Sequence, residues 1–141
     1  VTLCFVPLLK WVLSWWPAEE MRIALAMDAS SLADRLTVLA ISVVYRGCAI
    51  PVAWIVVKGN TKGACKPHWL ALLAHLKDSI PADWFVLVTA DRGLWAPWLY
   101  HAIVKNHWHP FLRINLGAKC RPVGTHTFRW LSQLILERGI Y

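Results

Sequence analysis

A mixed α/β domain with the element order β-β-β-α-β-α-β is the fold class this sequence predicts, on three observations. Short, nearly continuous apolar runs of strand length recur along the chain, beginning at Arg22 to Met27. From the middle of the chain onward they alternate with stretches whose apolar residues fall at helical spacing. The first and fourth of these runs lead into an aspartate, Asp28 and Asp91, which stand 63 residues apart.

At 141 residues the chain has room for one domain with a real core and not comfortably for two. Hydrophobic residues make up 57% of it, including ten Trp, and mean hydropathy is +0.45; a globular chain averages roughly 45–50% apolar residues. A membrane span is nevertheless not expected. The longest N-terminal apolar stretch, Val1 to Pro17, is broken by Pro7, Lys10 and Ser14, and a spanning helix needs about 20 predominantly apolar residues. There is no basic segment or small-residue cleavage site before Trp15 and Trp16 to suggest a signal peptide. A cytoplasmic protein without a membrane partner is the expectation.

Charge points to a polyanion. Fifteen Lys and Arg stand against eight Asp and Glu, a net +7, and the balance favours nucleic acid as partner. Arg113, Lys119, Arg121, Arg129 and Arg138 fall in the last third, where they form either a DNA-facing surface or a solvated face. Cys4, Cys48, Cys65 and Cys120 are scattered without paired metal-ligand spacing and read as reduced thiols. Because the sequence opens on Val1 and closes on Tyr141 just after an apolar run, it reads as a piece of a longer protein.

The elements follow in order. Leu8, Trp11, Val12 and Trp15 recur at helical spacing and Pro17 closes the pattern, which predicts an entering amphipathic helix within an N-terminal segment at residues 1–20. Arg22 to Met27 predicts a strand buried on both faces and ending at Asp28. Thr37 to Tyr45 and Ala49 to Val57 are β-branched runs joined through Arg46-Gly47-Cys48, so they predict an antiparallel hairpin. Pro51 lacks a backbone N–H, which places its strand toward the sheet edge. Lys58 to Lys66 is a polar loop, and Trp69, Leu72, Leu73, Leu76 and Ile80 form one helix face that Pro81 stops. Trp84 to Thr89 is the fourth strand; Trp95, Leu99, Ala102 and Ile103 carry the second core helix; Pro110 precedes a fifth strand, Phe111 to Leu116.

A helical link from the third strand to the fourth suggests a parallel crossover, which lets the first and fourth strands lie side by side. Sites in open α/β sheets form at the carboxyl ends of strands, where Asp28 and Asp91 are expected. Two adjacent carboxylates repel unless a cation or proton intervenes. Hard oxygen ligands suit Mg2+ or Mn2+ bound together with substrate phosphates, and phosphoryl transfer is the chemistry such a pair serves. Taken singly, an Asp after a strand is more often a turn former or a helix N-cap than a metal ligand.

Other candidates carry similar alternatives. Arg92 either orients a phosphate or pairs with a carboxylate. Ser30 and Ser31 either hydrogen-bond the first acid or a phosphate, or serve in capping, and Lys119 and Arg121 are candidate backbone-phosphate contacts. His107 and His109 have no clustered partner for a zinc site. Packing accounts for most of the Trp residues, with Trp98, Trp108 and Trp130 harder to place.

Three blocks carry a family likeness: AMDASSLADRLTVLAISVVYRGCAIPVAW from Ala26 to Trp54, VLVTADRGLW from Val86 to Trp95, and WHPFLRIN from Trp108 to Asn115. The stretch from Ala26 to Gly124 resembles the catalytic core of bacterial insertion-sequence transposases of the DDE type, the insertion sequence 4 group. The resemblance implies an RNase H-like fold, with Asp28 and Asp91 as the first two catalytic acids, both binding divalent metal. It also implies an endonuclease that cuts DNA at transposon ends and joins the freed 3′-hydroxyls to target DNA in transposition and recombination, acting as a homodimer when full length.

The family's third acid is a Glu in a Y-x2-R-x3-E-x6-K signature, which this sequence does not contain. Glu137, in LILERG, is the only acidic residue after Asp91 and has no matching Tyr and Arg upstream. The expected layout is therefore a helical segment at 1–20, the first part of an RNase H-like core at 21–117, and the start of an insertion subdomain at 118–141. Such a core is incomplete at its C-terminus. The alternative is a non-catalytic remnant that binds DNA or full-length transposase.

Overall fold

The computed structural model describes residues 2–33, 35–59 and 65–136, with the side chains of Ile135 and Leu136 left out. Within them, a 3-10 turn at Thr2–Cys4 leads into α1 (Phe5–Leu13), then β1 (Arg22–Leu32), β2 (Leu36–Tyr45) and β3 (Cys48–Lys58). Next come α2 (Cys65–Lys77), β4 (Phe85–Ala90), α3 (Pro97–Lys105) and β5 (His109–Leu112). A short ribbon of β6 (Lys119–Cys120) and β7 (Arg129–Trp130) precedes α4 (Leu131–Leu136).

The main sheet has the order β3-β2-β1-β4-β5. β1 is antiparallel to β2 and parallel to β4, and β5 is parallel to β4. The protein is thus a mixed α/β fold around a five-stranded mixed sheet, with the predicted element order up to β5. β3 lies at an edge, as Pro51 requires, and a register shift at Ile41/Ser42 falls beside that proline. The β2–β3 turn is tight because Arg46 and Gly47 both take positive φ, 48° and 82°, the pairing that matches hairpin twist.

One hydrophobic cluster unites α1, α2, α3 and one sheet face: Phe5, Leu9 and Val12; Leu72, Leu73 and Leu76; Leu99 and Ile103; Leu25, Leu39, Ile41 and Val88. Burying each such side chain contributes about 1.5–3 kcal/mol. The predicted helix face of Trp69, Leu72, Leu73, Leu76 and Ile80 is buried throughout, although α2 ends at Lys77 and Ile80 lies in the turn after it.

Several expectations change. β1 does not stop at Asp28 but runs to Leu32, because β2 continues to pair with it down to Leu32↔Leu36 after β4 has ended. Nor is β1 buried on both faces: Ile23, Leu25 and Met27 are buried while Ala24 and Ala26 between them are half-buried. α1 turns Phe5, Leu9 and Val12 inward, so that of the expected face of Leu8, Trp11, Val12 and Trp15 only Val12 is fully buried, Leu8 is half-buried against the core and Trp11 is 58% exposed. β5 begins earlier, at His109, with Pro110 inside it, which its edge position tolerates.

The predicted loop of Lys58 to Lys66 is shorter at both ends, since Lys58 closes β3 and α2 starts at Cys65; its residues 60–64 lie outside the described ones. Glu137 lies outside them as well. The four cysteines are free thiols. Among the described residues no helix is long and apolar enough to cross a membrane.

Candidate active site

The parallel ladder between β1 and β4 runs from Arg22↔Phe85 to Met27↔Ala90. Asp28 and Asp91 are the next residues on the two strands. Met27 and Ala90 both face the core, at 3% and 7% exposure, and both aspartates are exposed. Neighbouring strands lie about 4.8 Å apart, so the ladder brings two carboxylate-bearing backbones together at one end of the sheet.

Local bonds orient each acid. Ser30 Oγ donates to Asp28 Oδ2 at 2.8 Å, the bond to the first acid that the sequence allowed. Ser31 instead shares a hydrogen bond with Thr37 across the β1–β2 hairpin, at 3.2 Å. Asp91 Oδ1 accepts the backbone N–H groups of Gly93 and Leu94, at 2.9 and 3.2 Å. The turn role that the sequence allowed for Asp91 is therefore present. The close approach also explains Gly93, where a Cβ would sit 3.2 Å from Asp91 Oδ1.

β5 adds a residue that stands out only in three dimensions. Arg113 N–H donates to the Ala90 carbonyl at 2.9 Å, extending the β4–β5 pairing beyond Leu112. An open depression of about 640 Å³ is lined by Met27, Thr89, Asp91, Phe111 and Arg113. In the sequence Arg113 is merely one of several basic residues in the last third. What distinguishes it is the alignment of Ala90 with Leu112 on the neighbouring strand.

The remaining candidates fall elsewhere. Arg92 is exposed in the turn after Asp91. Lys119 opens β6 of the separate ribbon and Arg121 directly follows that strand; Lys119 Nζ lies 4.7 Å from the Trp130 ring centre and Arg121 Cζ lies 5.7 Å from that of Phe128, the residue before β7. Trp130 is 45% and Phe128 62% exposed, so these cation–aromatic pairs face solvent. His109 stacks on Phe85 with ring centres 4.1 Å apart. Among the described residues no group of three or more His, Cys, Asp or Glu side chains could hold a metal ion. Trp108 is buried in the core and Trp98 is half-buried against it.

By donor chemistry the two side chains suit a hard cation: both are carboxylates, each has one oxygen fixed by a local hydrogen bond, and both are exposed to solvent. No family model matches the chain, and no curated protein matches it.

Proposed function

We propose that this chain is the first part of the RNase H-like catalytic core of an insertion-sequence DDE transposase, acting on DNA phosphodiesters with Asp28 and Asp91 as metal-binding acids. The observation that carries the reading is the Met27↔Ala90 rung, after which the next residue on each strand is an aspartate. The three sequence blocks that resemble the family contain both acids in the family's order. The net charge of +7 suits a DNA partner.

Asp28 and Asp91 would hold Mg2+ or Mn2+, which when bound activates a water or 3′-hydroxyl and stabilises the leaving oxygen. Ser30 keeps the Asp28 carboxylate oriented by its hydrogen bond, and the Gly93 and Leu94 amides do the same for Asp91. Arg113, lining the same depression as Asp91, offers a guanidinium to a DNA phosphate. The third carboxylate of the family signature would come from residues that this sequence does not include.

The test is nicking and joining of duplex oligonucleotides carrying transposon ends, by protein containing this chain, in Mg2+. Asp28→Asn and Asp91→Asn are each expected to abolish both reactions with DNA binding retained. Activity surviving in either variant would remove the assignment. A second reading, DNA binding without catalysis, draws on the solvent-facing cation–aromatic pairs of the β6–β7 ribbon, which owe nothing to the acids. Nicking dependent on both aspartates would exclude it.

A further inference from the structure

At the opposite end of the β1–β4 ladder from the acids lies a second cavity, of about 400 Å³, a size typical of small-molecule sites at roughly 300–1,000 Å³. Its lining includes Trp16, Tyr45 and Phe85, three aromatic rings from three different segments of the chain. Trp16 is held in place twice: its Nε1–H donates to the Arg22 carbonyl at 3.0 Å, and its ring meets Tyr45 at 4.6 Å between centres. Phe85 is braced by its stack on His109.

The charged members of the lining are Arg22, Arg46 and Glu20. Glu20 pairs with Arg22 at 3.4 Å in an exposed ion pair. The Arg46 guanidinium lies 5.3 Å from the centre of the Tyr45 ring. Two guanidiniums against one carboxylate leave the lining net positive. Aromatic faces beside a cationic rim are what a planar ring tied to an anion requires, because stacking holds the ring and the guanidinium holds the charge.

We infer that this cavity binds a single nucleotide unit, its base against the aromatic walls and its phosphate at Arg46 and Arg22. The unit is either a free nucleotide or an unpaired nucleotide of a DNA strand. Arg22 and Asp28 are six residues apart on β1, about 20 Å along a strand. The site is therefore separate from the acids and does not depend on their chemistry.

The experiment titrates the 15N-labelled chain with thymidine 5′-monophosphate, thymidine or inorganic phosphate, following the Trp16 indole N–H by NMR. The nucleotide is expected to shift that signal saturably, with thymidine and phosphate each binding at least about tenfold more weakly, since each forfeits one of the two kinds of contact. Arg46→Gln, and separately Arg22→Gln, should weaken the nucleotide by about tenfold or more, the loss expected for a charge-assisted hydrogen bond. Asp28→Asn should leave it unchanged even where it abolishes nicking.

A short single-stranded oligonucleotide that displaces the nucleotide identifies a DNA strand as the source, and one that fails to displace it identifies the free nucleotide. The inference is overturned if the Trp16 signal does not saturate, if phosphate alone binds as well as the nucleotide, or if both arginine variants bind like the parent.

Discussion

Asp28 and Asp91 each stand one residue beyond the same rung of the β1–β4 ladder, Met27↔Ala90, although one acid lies inside a strand and the other just past the end of one. That asymmetry assigns different local duties. Asp28 is held by a side chain, Ser30, within a hairpin that continues to Leu32; Asp91 organises the backbone that turns toward α3.

Removing the Asp91 side chain should therefore cost stability apart from any role in catalysis. Asp91→Ala leaves two backbone amides without their acceptor and is expected to destabilise by about 0.5–2 kcal/mol, while Asp91→Asn keeps an oxygen acceptor and loses less. Urea unfolding of both variants checks this, and equal losses would argue against the turn role.

Asp28→Ala should behave differently. The residue is exposed and its carboxylate accepts from a serine hydroxyl two residues on, so the substitution should change stability by no more than about 0.5 kcal/mol. Thermal melts in metal-free buffer test it. A loss comparable with that of Asp91→Ala would show that Asp28 has a structural duty.

The core makes a contrasting prediction. Leu25 is fully buried on the strand that carries Asp28 and packs in the cluster shared with α1, α2 and α3. Leu25→Ala is expected to cost about 2–5 kcal/mol, read from the urea midpoint at constant slope.

At the β2–β3 turn, Gly47 has φ 82°, and a Cβ added there would meet nothing within 4 Å, so a side chain encounters backbone strain and no clash. Gly47→Ala should destabilise by about 1 kcal/mol. A neutral result would mean that the turn relaxes to another type.

The ribbon supplies a prediction about DNA. Replacing Lys119 and Arg121 together with Ala should lower affinity for duplex DNA uniformly across sequences and reduce the slope of log affinity against log salt by about 1–2. An unchanged slope would take both residues out of the phosphate interface.

Much of the fold is legible in the sequence because its signals are local. The hairpin shows in the β-branched runs around Arg46-Gly47, the edge strand in Pro51, and α2 in a strict apolar spacing from Trp69 to Ile80. The end of β1 is not legible, since polar Ser30 and Ser31 extend a strand only because β2 pairs with them. The inward face of α1 is obscured because Trp11 and Trp15 share the helical period with Leu8 but meet each other and Tyr45 at the surface, with Trp11 and Trp15 centres 4.6 Å apart.

The acid pair is legible as two residues and as a neighbouring strand pair, but the level at which they emerge depends on register, which no single strand encodes. Arg113 and the aromatic cavity around Trp16 are hidden for the same reason: each is assembled from segments far apart in the chain.

The most direct measurement is Mn2+ titration of the 15N-labelled chain, reading paramagnetic broadening of backbone amides. Signals of Asp28 and Asp91 and their neighbours are expected to broaden together at one saturable site, and either Asp28→Asn or Asp91→Asn is expected to remove the broadening at both. Broadening at one acid that persists when the other is replaced, or none at either, would contradict a shared metal site.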